Sequence, residues 1–392
     1  MLAIQIMVSA AALAGPVLAP LAAADFGADP ILLGIYVSAV YGVAAVSALV
    51  SGGIIARLGP LRVSQICLVL AAIALAMLVT GHLLVLGLSA ILLGAAYGPA
   101  TPASSAILAR RTPANWMNLV FSIKQTGVPL GNMLAGAILP GLALAFGWRM
   151  AILVGAGACL VLAGAVQPMR ADFDAERDPT RRLTWRSAVT GPLRLVLGDP
   201  RLRRIALISV AYSGMQVSLS AFLVTYLHQD LGLPLVLAGL VLSTAQVAGA
   251  GGRILWGIVA DRLVRPDRVL GGLGIGMTTF ALLTGLFTPH WPLVAILAVA
   301  AAFGGTAVAW NGVFLAEVAR LSPSGKAGEV TGGTSLFTFG GVMVTPAAFS
   351  VLLSATGSYA LGFAAVAVAT LASGLSFFIR PAQTDGAPAE RT

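Results

Sequence analysis

The chain has 392 residues, of which 58% are hydrophobic, 9% are charged and 46 are glycine, and its net charge is +9. So apolar a composition excludes an ordinary soluble domain and indicates a membrane protein. The apolar stretches repeat at roughly 20 to 25 residues, the length that a helix needs to cross about 30 Å of hydrocarbon. Barrel strands would be about half as long, so the predicted fold class is all-α.

Hydropathy and the polar or Gly/Pro breaks predict twelve transmembrane helices, numbered here as spans 1 to 12. Span 1 contains AALAGPVLAPLAAADFG, which also fits a signal peptide with a small-residue cleavage site. It lacks the basic residues that precede the apolar core of a signal peptide, so we interpret it as a span. The predicted ranges are 2–22, 30–55, 63–82, 84–108, 117–140, 147–168, 205–227, 233–257, 268–288, 292–317, 329–353 and 358–379.

The basic residues predict the orientation of the chain in the membrane. If the N-terminus is cytoplasmic, twenty of the 23 basic residues lie on the cytoplasmic side, nine of them between Arg170 and Arg204. The outer side then has only Arg149. This asymmetry predicts an inner (plasma) membrane protein with both termini in the cytoplasm. It also explains the net charge through anionic lipid headgroups, without nucleic acid as a partner.

A long polar segment divides the chain into two sets of six spans. It predicts an N-terminal bundle at 1–168, a cytoplasmic central loop at 169–204, a C-terminal bundle at 205–379 and a cytoplasmic tail at 380–392. Gly52 and Arg57 after span 2 recur 205 residues later as Gly257 and Arg262 after span 8. A second match around spans 4 and 10 has nearly the same offset. Such agreement indicates duplication, and duplicated helical bundles with parallel halves are typical of transporters.

The loop after span 2 reads GGIIARLGPLR, and there the chain resembles the major facilitator superfamily. Gly52, Arg57 and Gly59 match the family motif Gly-x-x-x-Asp-Arg-x-Gly-Arg, but Ala56 replaces the aspartate. The resemblance covers all twelve spans and implies two pseudo-symmetric six-helix bundles. In the family this loop caps a helix end and stabilises the outward-open state through charge pairing.

The second copy of the motif, GIVADRLVR after span 8, keeps more of the family pattern. Gly257, Asp261 and Arg262 match, whereas Val264 replaces the second glycine. Asp261 is therefore the better candidate for the implied charge pairing. The residues expected to control the conformational change are Asp261, Arg262, Gly257, Arg57 and Gly52. A surface charge that only sets the topology is the alternative reading for each arginine.

Span 8 reads AGAGGRILWGIVADR, which resembles monocarboxylate and oxalate carriers. In those relatives the arginine at the position of Arg253 binds the substrate carboxylate, a role that suits a planar guanidinium. The oxalate carriers also have a lysine on span 11, whereas this chain has no basic residue between Lys326 and Arg380. The stretch FSIKQTGVPLG on span 5 resembles bacterial cyanate-type permeases, and it places Lys124 on another helix.

Lys124 and Arg253 are the two full charges predicted inside the membrane core, and no acid is predicted there. Charges at this depth are costly and generally face a cavity, so we expect the two cations to form a divided anion site. Snorkelling of each side chain to the cytoplasmic surface is the alternative. Polar residues that the family resemblance places along the pathway are further candidates. The predicted substrate-binding residues are Lys124, Arg253, Gln125, Gln216, Tyr212, Asn311, Trp310, Gln246 and Tyr97, with Gln5 and Ser9 beside them.

The sequence contains no phosphate-binding glycine loop with its lysine, no Cys/His metal spacing and no nucleophile paired with a base. We therefore predict neither an enzyme nor a cofactor or metal site. The predicted function is a carrier of a small organic anion, a mono- or dicarboxylate, that acts by alternating access as a monomer. The alternatives are a drug or metabolite exporter of the same fold and a transporter-like membrane sensor that binds its ligand without moving it.

Overall fold

The computed structural model describes residues 1–26, 30–181 and 184–379. Asp29 and the predicted tail at 380–392 lie outside these residues. Within them the prediction of twelve apolar helices long enough to cross a membrane is confirmed. The helices are Leu2–Phe26, Pro30–Leu58, Pro60–Leu78, Leu83–Arg111, Met117–Gln125 with Gly127–Phe146, Trp148–Ala165, Pro200–Gln229, Leu235–Arg262, Pro266–Gly285, Leu293–Ala307 with Asn311–Leu321, Ala327–Thr356 and Tyr359–Ile379.

The outer surface of the bundle is apolar. Leu84, Leu144 and Val236 are each more than 80% exposed, at 85%, 83% and 82%. In water such a surface would cause aggregation, whereas in hydrocarbon it costs nothing because lipid tails are as apolar as leucine. The exposure pattern is therefore that of a protein whose solvent is the bilayer.

Buried apolar residues form two separate cores, one in each set of six spans. The first is built from spans 1 to 6 around Val8, Leu68 and Leu93. The second is built mainly from spans 7 to 12, and it also contains Met117 and Phe121 from the start of span 5. Span 5 thus belongs to the first half by sequence and inserts its first turns into the core of the second.

The two halves meet at the end of the bundle that contains Met1, which we call the inner end, following the predicted orientation. Span 5 packs there against spans 8 and 10, and span 11 packs against spans 2 and 4. Glycines permit this approach: a Cβ at Gly312 would lie 2.4 Å from the Cα of Ser122, and one at Gly332 would lie 2.3 Å from the carbonyl oxygen of Ala48. The inner end is therefore closed by backbone contact.

Spans 5 and 10 are each broken near the middle. Span 5 divides between Gln125 and Gly127, and span 10 divides between Ala307 and Asn311. Proline has no N–H, so Pro129 cannot donate to the carbonyl of Gln125 four residues earlier. The breaks thus leave backbone carbonyls that must find other donors inside the protein.

The central segment predicted as a loop contains an additional helix, Trp185–Gly198. Thr184 caps it by accepting a hydrogen bond from the N–H of Ser187. The helix packs against spans 2, 7 and 11 and buries Pro192 and Val196. Earlier in the segment Asp174 caps span 3, its carboxylate accepting from two backbone N–H groups at 2.8 and 3.0 Å. The segment therefore contacts both halves at the inner end.

Candidate functional site

A cavity of about 480 Å³ lies between the two halves, in the size range of small-molecule sites. Its lining comes from spans 1, 2, 4, 5, 7, 8, 10 and 11. On span 1 the lining extends from Gln5 to Pro16, towards the outer end, whereas the inner end is closed by the contacts described above. In the predicted orientation this is an outward-facing arrangement.

Arg253 is the one charged side chain that lines this cavity in the described part of the chain, and no carboxylate lines it there. The side chain is 1% exposed, and its Nε donates to the carbonyl of Val308 at 3.0 Å. Its Nη1 donates to the carbonyl of Gln125. Arg253 thus satisfies one carbonyl at each helix break, one in each half. The remaining nitrogen, Nη2, has no hydrogen-bond partner within residues 1–26, 30–181 and 184–379.

Lys124, predicted as a substrate contact, does not line the cavity in this structure. It is 4% exposed, and its Nζ donates to Gln125 Oε1 at 2.8 Å and to Thr101 Oγ1 at 3.3 Å. Adjacent helical residues point in directions about 100° apart, so Gln125 faces the cavity and Lys124 lies behind it. Its ammonium is also held inside the protein rather than snorkelling to the inner surface.

The contacts of Lys124 fix the orientation of the Gln125 amide. An ammonium can only donate, so the amide oxygen must face Lys124 and the NH₂ group faces the other way. In the other half, Trp310 Nε1 and Asn311 Nδ2 both donate to Gln216 Oε1 at 3.0 Å. Gln216 also lines the cavity, so each half presents a glutamine whose oxygen is occupied and whose donor group is available.

The other predicted contacts separate into two groups. Gln5, Ser9, Tyr97, Gln246, Trp310 and Asn311 all line the cavity. Tyr212 does not: it is fully buried, and its hydroxyl donates to the carbonyl of Leu270 on span 9 at 2.7 Å. Tyr212 and Gln216 are four residues apart, but the phenol is turned into the core of the second half. Tyr212, predicted as a substrate contact, therefore does not reach the cavity in this structure.

Asp261 connects the two halves at the inner end. Its Oδ1 accepts from the backbone N–H and the Nδ2 of Asn118 at 3.1 and 2.7 Å, and its Oδ2 accepts from the N–H of Leu119 at 2.8 Å. The carboxylate thus caps the N-terminus of span 5, where the helix dipole favours negative charge. Beside it, the guanidinium of Arg262 lies 5.1 Å from the ring centroid of Trp116. Gly257 of span 8 packs against Ser122 of span 5.

The corresponding contact of the first half is built differently, because Ala56 occupies the position of the aspartate. Gly52 packs closely against Glu329 at the start of span 11. The Nη2 of Arg181, from the central segment, lies 3.5 Å from a carboxylate oxygen of Glu329. Arg57 is exposed and forms no hydrogen bond or ion pair with any described residue, so its expected contact across the halves is not present here.

Two sets of six spans surround one central cavity, which is closed at one end and lined, within the described residues, by a single cation; this is the architecture of a secondary transporter. The family model for the Major Facilitator Superfamily matches residues 1–332. The chain therefore belongs to the Major Facilitator Superfamily, a family of secondary transporters.

Solved structures share the fold at low sequence identity. A bacterial homologue of the iron transporter ferroportin, in an outward-facing state, has a TM-score of 0.77 at 17% identity, with 96% of this chain and 97% of that chain covered. The fucose:proton symporter FucP of E. coli has a TM-score of 0.75 at 14% identity, covering 97% and 98%. The human organic anion transporter MFSD10 has a TM-score of 0.73 at 17% identity, covering 96% and 98%.

A curated relative is similar to part of the chain. The 4-hydroxybenzoate transporter PcaK of Acinetobacter baylyi is 33% identical over 146 residues. This match spans 37% of the present chain and 32% of PcaK, about a third of each.

Proposed function

We propose that this transporter carries a small organic anion, a carboxylate bound at Arg253, by alternating access. The observation that carries the proposal is the charge of the cavity lining: it has one guanidinium and no acid in the described residues. A lone buried cation is costly, and an anionic ligand offsets that cost. The guanidinium can also donate to both oxygens of a carboxylate.

The amides beside Arg253 support an anion rather than a neutral or cationic ligand. Gln125 and Gln216 have their oxygens occupied by donors from the protein, so both offer N–H groups to the cavity. A cation would be repelled by Arg253. Since one charge lines the cavity and Lys124 lies behind Gln125, a monocarboxylate fits better than a dicarboxylate.

The partial relative gives independent support for this class of substrate. PcaK is named as a transporter of 4-hydroxybenzoate, which has one carboxylate. We further propose, from the distribution of basic residues, that the protein lies in an inner (plasma) membrane with both termini in the cytoplasm. The cavity then faces the outside in the state described here.

Calorimetric titration of the purified protein tests the proposal with acids and their neutral amides as matched probes, such as benzoate with benzamide and propionate with propionamide. We expect the acids to bind and the amides to bind far more weakly. Arg253→Gln should weaken acid binding roughly ten- to 150-fold, the worth of one charge-assisted hydrogen bond of about 1.5–3 kcal/mol. Arg268→Gln, which removes an exposed arginine outside the cavity, is the control.

Arg253 also connects the two halves, so Arg253→Lys and a thermal unfolding scan accompany the neutral variant. Lysine keeps the charge but loses the planar fork, so acid binding should recover in part. Lys124→Gln should weaken binding less than Arg253→Gln, because Lys124 acts through Gln125 and at longer range. Equal affinity for acids and amides in the folded wild type would overturn the proposal. Binding without flux in proteoliposomes would support the sensor alternative instead.

A further inference from the structure

Three aromatic rings line the cavity at the seam where span 11 meets spans 2 and 4. Tyr41 and Tyr97 come from the first half and Phe339 from the second. Their ring centroids are 6.0, 6.1 and 6.2 Å apart, and the interplanar angles range from 45° to 89°. All three side chains are only partly buried, unlike the core rings of Phe303 and Phe363. We call this group the ring patch.

The ring patch and the guanidinium of Arg253 lie at different contacts between the halves, which we call the two seams. Arg253 bridges spans 5 and 10 from span 8, whereas Phe339 reaches from span 11 to spans 2 and 4. Phe339 is 12 residues from the start of its helix and Arg253 is nine from the end of its own, so both lie about 14–18 Å from the inner end. A ligand that reaches from one to the other spans the cavity across its width rather than along its depth.

Partly exposed aromatic surface in a water-accessible cavity indicates a ligand that covers it. Rings inclined to one another present both faces and edges, the arrangements in which aromatic rings attract a further ring. The cavity therefore combines a carboxylate site at one seam with an aromatic surface at the other.

We infer that the substrate is an aromatic monocarboxylate, with its carboxylate at Arg253 and its ring on the ring patch formed by Tyr41, Tyr97 and Phe339. This inference rests on the proposed function and adds to it the chemical class of the substrate. Such a ligand contacts both halves at both seams. Its binding therefore depends on how the two halves are arranged, and alternating access changes that arrangement.

The test compares three acids of similar size by calorimetric titration of the purified full chain: benzoate, cyclohexanecarboxylate and hexanoate. Benzoate should bind about two- to tenfold more tightly than cyclohexanecarboxylate, the amount by which aromatic contact exceeds apolar burial. Phe339→Leu should reduce that difference while leaving cyclohexanecarboxylate affinity within about twofold. Phe222→Leu is the matched control, because Phe222 stacks on Phe349 and does not line the cavity.

The comparison between acids needs only the wild-type protein, so it remains valid if a variant fails to fold. Equal affinities for the three acids would overturn the aromatic assignment and leave the proposed anion function intact. A benzoate preference that persists unchanged in folded Phe339→Leu, Tyr41→Leu and Tyr97→Leu would also overturn it, since the preference would then arise outside the ring patch. If none of the acids binds better than its neutral amide, the proposed function itself fails.

Discussion

Replacing Asp261 by asparagine tests how the inner end is held closed. The carboxylate accepts three hydrogen bonds from Asn118 and Leu119, and it caps a helix of the other half. Asparagine has the same shape but keeps one acceptor oxygen and no charge. A helix cap contributes about 0.5–2 kcal/mol and the helix dipole about 0.3–1 kcal/mol. Asparagine retains part of the cap, and solvent screens part of the interaction with the dipole at this partly exposed site. We expect a net shift of about 1–2 kcal/mol towards the inward-open state, or roughly five- to 30-fold in the ratio of the two states.

The population of the open inner end can be measured with a reporter thiol. Ser51 is fully buried on span 2 beside Gly332 of span 11. A thiol introduced by Ser51→Cys therefore reacts when the contact between spans 2 and 11 opens. The native thiols Cys67 and Cys159 are both buried, and the protein without the reporter gives the background rate. In the Asp261→Asn background the alkylation rate should rise roughly five- to 30-fold.

Asp267→Asn is the matched control for this experiment. Asp267 lies in the first turn of span 9, also at the inner end, but it pairs with Arg265 of its own half, at 3.1 Å. Substrate affinity should change by no more than a few fold in Asp261→Asn, because the residue does not line the cavity. An unchanged alkylation rate together with a large loss of affinity would refute the reasoning and assign Asp261 to ligand binding.

Three further predictions concern the same machinery. Glu329→Gln should raise the alkylation rate of the reporter thiol by no more than about fivefold, because its partner Arg181 is exposed and exposed ion pairs contribute about 0–1 kcal/mol. An effect as large as that of Asp261→Asn would contradict this. Gly312→Ala should open the inner end more than the control Gly251→Ala. A Cβ at Gly312 would meet the backbone of Ser122, whereas one at Gly251 would meet nothing within 4 Å. Similar reactivity of the reporter thiol in the two variants would argue against closure by backbone contact. No acidic or histidine side chain lines the cavity among the described residues. A proton flux driven by substrate in pyranine-loaded liposomes should therefore survive every single substitution in spans 1 to 6 that leaves substrate transport intact, and its loss in a variant that still transports substrate would reveal a proton relay.

The sequence by itself determined the number of spans, their division into two halves and the two cations of the membrane core. These features depend on local costs: an apolar run of about 20 residues crosses the bilayer, and a charge inside it is expensive whatever surrounds it. The importance of Asp261 was also visible, because the motif around it survives after span 8 and its counterpart after span 2 is Ala56.

Only the tertiary structure decided which of these groups face the cavity. Lys124 and Gln125 are adjacent in sequence, but Gln125 lines the cavity and Lys124 orients its amide from behind. Tyr212 has the right helix and spacing, yet it finds its acceptor on span 9. The partners of Asp261 are more than 140 residues away along the chain. A sequence pattern indicates the free-energy cost of placing a side chain inside a membrane. The partner of that side chain depends on how distant helices pack, which no local stretch of sequence encodes.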